Sequence, residues 1–307
     1  MNLIALLVSL LIERLATQFF HWRRMRWMDR IIDAGFERMT SFSHWPPMVP
    51  VVLLVALLVL PVAIVTFALG DSLLGFPYLV LAIAVLFFSL GPKDIGEDVD
   101  EYCAAIERDD EEAIRQTSRA LIEGDVPTEP LARIHAVESA VLVQANNRLF
   151  AVIFWFVVLG PLGPLGAWAY RVTDLVRRRA VFNGARATGD EPASRAAFRN
   201  AAIELHALLA WIPARLTAIG YGIAGHFDGA LHAWRAINQA PRASTAETNE
   251  MLLSTVGKGA MHLEEHKDDD LQERGVYGAT AANRIVFRQL LIWVVFIAAL
   301  TLYGWTL

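Results

Sequence analysis

A single cysteine, Cys103, stands in a chain of 307 residues. No intrachain disulfide can form, so the fold has no covalent staple. Charge is scarce too: 19% of residues are charged against 55% hydrophobic, and the mean hydropathy is positive. That balance excludes an ordinary soluble domain and points to a membrane protein. The net charge of −5 argues against nucleic acid as a partner, which needs a basic face. The full G-x-x-x-x-G-K-[ST] spacing is missing. "VGKGA", Val256 to Ala260, is too little for a phosphate loop. There is no Ser-His-Asp grouping at family spacing, no redox motif and no internal repeat. The opening run "MNLIALLVSLLIERLA" has no basic stretch before it and ends in Glu13-Arg14 rather than a small-residue cleavage site. It reads as a retained helix, not a signal peptide.

What the chain has in quantity is long apolar runs. A membrane span needs about 20 such residues. Met48 to Gly70 and Leu73 to Gly91 both read as spans, joined by Asp71-Ser72 in a tight hairpin. Ile285 to Leu307 reads as a third span and the N-terminal helix as a fourth. The nine Trp often flank these runs, which fits interfacial anchoring. Lys and Arg set the orientation. Arg14, Arg23, Arg24, Arg26, Arg30 and Arg38 follow the first helix, which makes that loop cytoplasmic and both termini periplasmic. Residues 92 to 147 are then cytoplasmic. The spacing of Ile106, Ala113, Ile114 and Leu121 suits an amphipathic helical pair. The acidic run Asp109 to Glu112 reads as a solvated helix start, favoured by the helix dipole.

The stretch from Leu149 to Tyr170 is long enough for one span, but a single crossing would put Arg171, Arg177, Arg178 and Arg179 outside. Its middle reads Gly160-Pro161-Leu162-Gly163-Pro164, where a helix should not run on. One reading makes it re-entrant: a half-helix in, a turn at "GPLGP", and an exit on the same side. The other is an ordinary kinked span, with Leu208 to Gly225 returning the chain. Ala201 to Gly225 holds Pro213 together with Glu204, His206 and Arg215. It reads as a second broken helix, with Pro213 ending one half. Charged residues at membrane depth face the bundle interior or a wet pocket. Two broken helices facing each other make a cytoplasm-open cavity.

"HAVESAV" (His135 to Val141), "VIFWFVVLGPLGPLGAWAYR" (Val152 to Arg171) and "LLAWIPARLTA" (Leu208 to Ala218) occur in that order. They resemble the membrane-protein superfamily that holds the adenosylcobinamide-phosphate synthases, the CobD/CbiB-like proteins. Within it the chain is most similar to the AmpE family, over essentially its whole length. The resemblance implies a signalling modulator of β-lactamase regulation and of the response to antibiotic. Glu138, Ser139, Tyr170, Arg171, Pro213 and Arg215 stand at matching motif positions. The synthase branch carries further acids. Here "AVLVQANNRLF" follows Glu138-Ser139, and Asn146 or Asn147 stands about where an aspartate would. The synthase's Asp pair before the "IPARLTA" run falls on His206 and Ala207. The loss of those carboxylates argues against a ligation that uses ATP or phosphate, and no cofactor is expected. An amide-forming synthase of that type is the alternative function.

Candidate ligand-binding residues are therefore Glu138, Ser139, Asn146, Asn147, Tyr170, Arg171, Asp174, Glu204, His206 and Arg215. Arg215 would bind an anion or pair with Glu138 or Glu204; a role that only neutralises an internal carboxylate is equally open. The ligand would be a small molecule or protein partner of the cell-wall and β-lactam response, and the other partner is the lipid bilayer. No metal site is assigned. His262-x-x-Glu265-His266 has the order of an inverted zinc-protease motif, but it lacks a third ligand and is followed by Lys267 and three aspartates. The sequence thus predicts an all-α, polytopic inner-membrane protein. It has about four full transmembrane helices, a broken or re-entrant helix pair and a helical cytoplasmic part. Its segments are 1–91 (first span, basic loop and hairpin), 92–147 (acidic, helical), 148–225 (broken-helix core), 226–284 (cytoplasmic helices) and 285–307 (last span).

Overall fold

The computed structural model describes residues 6–9, 26–40, 45–68, 75–90, 94–186, 191–239, 243–261 and 270–303. Every element among them is helical. In chain order they are α1 (Arg26–Thr40), α2 (Met48–Ala68), α3 (Phe76–Ser89), α4 (Ile95–Glu107), α5 (Glu111–Leu121) and α6 (Pro130–Ala145). A π-helical turn, Asn146–Phe150, carries α6 into α7 (Ala151–Val158). A 3-10 turn, Gly160–Leu162, leads to α8 (Gly163–Ala185). Then come α9 (Ala193–Ala224), α10 (Phe227–Asn238), α11 (Thr245–Met261) and α12 (Leu271–Leu302).

Four of the described helices are long and apolar enough to cross a membrane: Met48–Ala68, Pro130–Val158, Ala193–Ala224 and Leu271–Leu302. The first agrees with the expected span. The second arm of the expected hairpin is shorter: α3 has 14 residues. Gly75 is extended at its start and Leu90 at its end, with Pro77 in the first turn, a position proline favours. The last span begins earlier than hydropathy suggested, because the helix runs on through the polar residues from Leu271. Likewise Pro130–Val158 runs through the boundary drawn at 147/148. Of the expected N-terminal span only residues 6–9 are described, as helix.

The chain reverses at "GPLGP". Gly160 has φ +53, a conformation that glycine adopts without steric cost. A side-chain carbon at Gly163 would meet the carbonyl oxygen of Phe156, and one at Gly166 that of Trp155, so only glycine lets α7 and α8 close on each other. The arms are full helices, not half-helices. Pro213 does not end a helix either. It lies inside the continuous 32-residue α9, as Pro61 lies inside α2. Membrane helices tolerate proline because neighbouring groups satisfy the freed carbonyl.

The chain divides into two compact units. Unit one holds residues 1–92, 151–211 and 300–307. Its core joins Met28, Ile32 and Phe36 of α1 to Val51 and Leu54 of α2, Trp168, Val172 and Val176 of α8, and Phe198 and Ala202 of α9. Unit two holds 93–150 and 212–299. Its core gathers α4 to α6, α10 and α11, the second half of α9 and α12, with Tyr102, Phe150 and Tyr221 the largest buried side chains. The expected amphipathic pair is here: Ile106, Ile114 and Leu121 are buried and Ala113 packs beside them. The acidic run starts a helix, with the Asp110 side chain accepting from the Ala113 amide at 3.0 Å, the usual N-cap bond.

Candidate functional site

The candidate residues fall into two sets, one in each unit. In unit one they sit on α8 and α9 around Asp174. Helical spacing places residues 171, 174, 177 and 178 on one face. Arg171 Nη1 donates to Asp174 Oδ2 at 3.0 Å, Arg178 Nε to the same oxygen at 2.8 Å, and Arg177 Nη2 to Oδ1 at 2.7 Å. From α9, His206 Nε2 lies 3.6 Å from Asp174 Oδ1 and 3.1 Å from the Tyr170 hydroxyl. Asp174 is fully buried. Burial alone would raise its pKa. The charges of Arg178, Arg177, His206 and Arg171 overcome that and hold the carboxyl well below the usual range. Asp174 is the hub that joins these side chains of α8 to His206 of α9. Glu204, half-buried, lies on the same helix as His206, about two turns before Trp211.

In unit two, Glu138 of α6 is the central group. Its side chain is 1% exposed. Oε2 faces His135 Nδ1 at 3.1 Å, one turn earlier on the same helix, and Lys258 Nζ of α11 at 4.0 Å. Oε1 has no hydrogen-bond partner among the described residues. Gly278 of α12 gives that oxygen its room. Lys258 also donates to the His135 carbonyl at 2.9 Å, and Arg274 Nη2 lies 3.5 Å from His135 Nε2. Burial lowers the Lys258 pKa, and Glu138 partly restores it. His135 and Lys258 are partly exposed while Glu138 is not. The arrangement is a buried carboxylate with nitrogen-bearing side chains at its mouth. It can orient an imidazole or take a hydrogen-bond donor.

The expected Arg215–Glu138 pair is not formed. Glu138 is held by α6 and α11, while Arg215 Nη1 donates to Asn249 Oδ1 at 3.1 Å. Ser139 Oγ donates to the His135 carbonyl of its own helix. Asn146 and Asn147 sit in the π-turn. Asn146 Nδ2 donates to Asn147 Oδ1 at 3.2 Å, and Thr217 Oγ1 to Asn146 Oδ1 at 3.0 Å. Arg148 in the same turn reaches Gln144, Asp98 and the Ala120 carbonyl. A π-turn widens the helix by one residue and is common where side chains are re-aimed.

Sequence reasoning missed Arg177 and Arg178 in the first set and His135, Lys258, Arg274, Asn249 and Thr217 in the second. Only His135 carried a local signal, as the residue three before Glu138. Lys258 and Arg274 come from distant helices whose pairing no spacing reveals.

Among the described residues no group of three or more His, Cys, Asp or Glu is placed to hold a metal ion. The His262–His266 motif lies outside them. Unit two has a cavity of about 570 Å³ lined by Ile106, Glu107, Gln272, Val276, Tyr277 and Thr280 among others. Unit one has a cleft of about 300 Å³ beside Trp45, Pro50 and Phe198. None of the candidate ligand-binding residues is among the residues lining either.

Comparison with known proteins places this geometry in context. The family model described as regulatory signalling modulator protein AmpE matches residues 1–307. The chain is 25% identical over 325 residues to a protein named AmpE from Shigella flexneri, covering 99% of each. It is 28% identical over 178 residues to a cobalamin biosynthesis protein CobD from Stutzerimonas stutzeri, 57% of this chain and 54% of that one. Against a CobD of Chromobacterium violaceum it is 25% identical over 242 residues, 76% of this chain and 72% of that one. The match thus spans about half the length of the Stutzerimonas relative. No solved structure matches.

Proposed function

The chain belongs to the AmpE family, and from that premise we propose that it is an inner-membrane modulator of β-lactamase induction. It is a multi-pass protein with both termini periplasmic, and it reports the state of the cell wall under β-lactams. Its signal enters as a small ligand or protein partner at the cytoplasm-facing Glu138 centre. The observation that carries this reading is the unmatched carboxylate oxygen of Glu138, buried beside the partly exposed His135 and Lys258. A buried acceptor left unsatisfied costs about 1–3 kcal/mol. Such an acceptor is open to a donor, be it water, an ion or a ligand. Arg215 with Asn249, and the Asn146–Thr217 pair, line the same unit and relay the change along α9. Deletion of the gene tests the role: induction of β-lactamase by a β-lactam should change, and unchanged induction contradicts it.

The second reading is an amide-forming synthase of the adenosylcobinamide-phosphate type, supported by the two relatives named CobD. It requires product formation by purified membranes supplied with cobinamide-pathway substrates and Mg²⁺. The amides at Asn146 and Asn147 speak against it, since an amide cannot replace a carboxylate as metal ligand or base at equal strength.

A further inference from the structure

We propose that the outward face of α1 is a docking surface for the headgroups of anionic phospholipids. The helix has three acidic residues, Asp29, Asp33 and Glu37, and each meets an arginine of α8 or α9. Asp33 accepts from Arg179 Nε at 2.6 Å and from Asn183 at 3.1 Å. Glu37 accepts from Arg195 at 3.3 Å. The negative charge of Asp29 helps hold Arg179 in its charged form. The two arginines with exposed side chains, Arg30 and Arg38, make no hydrogen bond or ion pair among the described residues. The carboxylates of α1, the exposed Glu37 included, are therefore matched by arginines of α8 and α9, whereas Arg30 and Arg38 meet no carboxylate among the described residues.

The same outward stripe holds Trp27, 60% exposed, and Ile31, 45% exposed. Positions 27, 31, 34 and 38 follow the helical period, with Arg30 beside them. The opposite stripe, Met28, Ile32 and Phe36, is buried in the core of unit one. A helix with one face in the protein core and a Trp–Ile–Arg–Arg face outward has the chemistry of an interfacial helix. Its height on the bundle agrees. Gly35 packs against Leu54, and the α1 core residues meet Val51 and Leu54. Those belong to the first two turns of the Met48–Ala68 span, whose Val52, Leu53, Leu57 and Leu60 face outward. The start of a span is where headgroups lie and where tryptophan anchors. An anionic headgroup supplies the charge that Arg30 and Arg38 lack, and the acyl boundary covers Trp27 and Ile31. Neutral lipid would leave the two guanidiniums unmatched.

Each arginine near an anionic surface contributes about a fivefold preference. The test uses the full chain in nanodiscs of phosphatidylcholine alone or with phosphatidylglycerol. The readout is amide hydrogen exchange across residues 26–40. Exchange should slow by about tenfold or more with phosphatidylglycerol, and high salt should erase the gain. The Arg30→Gln/Arg38→Gln variant should show no lipid dependence while its melting temperature in neutral lipid stays that of wild type. Equal exchange in both lipids, or a difference that survives the double substitution, overturns the proposal. Protection that rises with protein concentration in neutral lipid assigns the face to a second copy and overturns it too. Arg38→Lys keeps the charge and should keep the effect. None of these outcomes depends on the β-lactamase role.

Discussion

Gly278 lies against Glu138: a side-chain carbon at Gly278 would come within 2.2 Å of Glu138 Oε1. The carboxylate therefore sits where it does because α12 offers no side chain there. Gly278→Ala must displace it, and overpacking of this kind costs about 1–3 kcal/mol. The melting temperature of the detergent-solubilised variant should fall. Combining it with Glu138→Ala should recover most of the loss, because the two atoms that clash are then both changed. Additive losses would show that the contact is not what couples them.

Arg171, Arg177 and Arg178 all donate to the Asp174 carboxylate. Asp174→Asn breaks these buried ion pairs, a loss of about 3–5 kcal/mol. Arg178→Gln should cost less, because that side chain is 26% exposed. The pH dependence has a fixed sign. The folded carboxyl titrates below its unfolded value near 3.8. Its contribution is present above that value and is lost as pH falls through the folded one. A melting series from neutral to acid pH should fall steeply below pH 4 for wild type and more gently for Asp174→Asn. Parallel curves would remove Asp174 from the account.

The composition alone established the class of protein, and the Pro–Gly run at 160–164 located the reversal, because glycine and proline act on their own backbone. The helix ends were less legible. Hydropathy marks where apolar residues stop, whereas α12 continues through polar residues from Leu271, since helix bonding ignores what the side chain faces. Pro213 misled for a related reason: a proline removes one hydrogen bond, and a long packed helix survives that loss. The surroundings of Glu138 were illegible because Lys258 reaches it, and Arg274 reaches His135 beside it, from helices more than a hundred residues away.

Gln289 of α12 is fully buried, and neither its amide oxygen nor its nitrogen has a hydrogen-bond partner among the described residues. Gly220 of α9 makes room for it. Gln289→Met keeps the shape and removes two unsatisfied polar atoms, so it should raise stability by about 1–3 kcal/mol. A lower melting temperature would mean that the amide binds something inside the bundle.

The reversal at Gly160 bears on sidedness. A topology reporter fused after Ala185 should give a cytoplasmic signal, consistent with the run Arg177-Arg178-Arg179 near it. A periplasmic signal would contradict the orientation proposed for the chain.

The central claim is that this protein modulates β-lactamase induction through the Glu138 centre. The most direct measurement is induction in a deletion strain carrying wild type, Glu138→Gln or Lys258→Met at equal membrane levels. The account predicts that wild type restores the normal response, that neither variant does, and that Lys258→Arg restores it in part. If both variants restore induction as fully as wild type, the Glu138 centre is structural and the signal enters elsewhere.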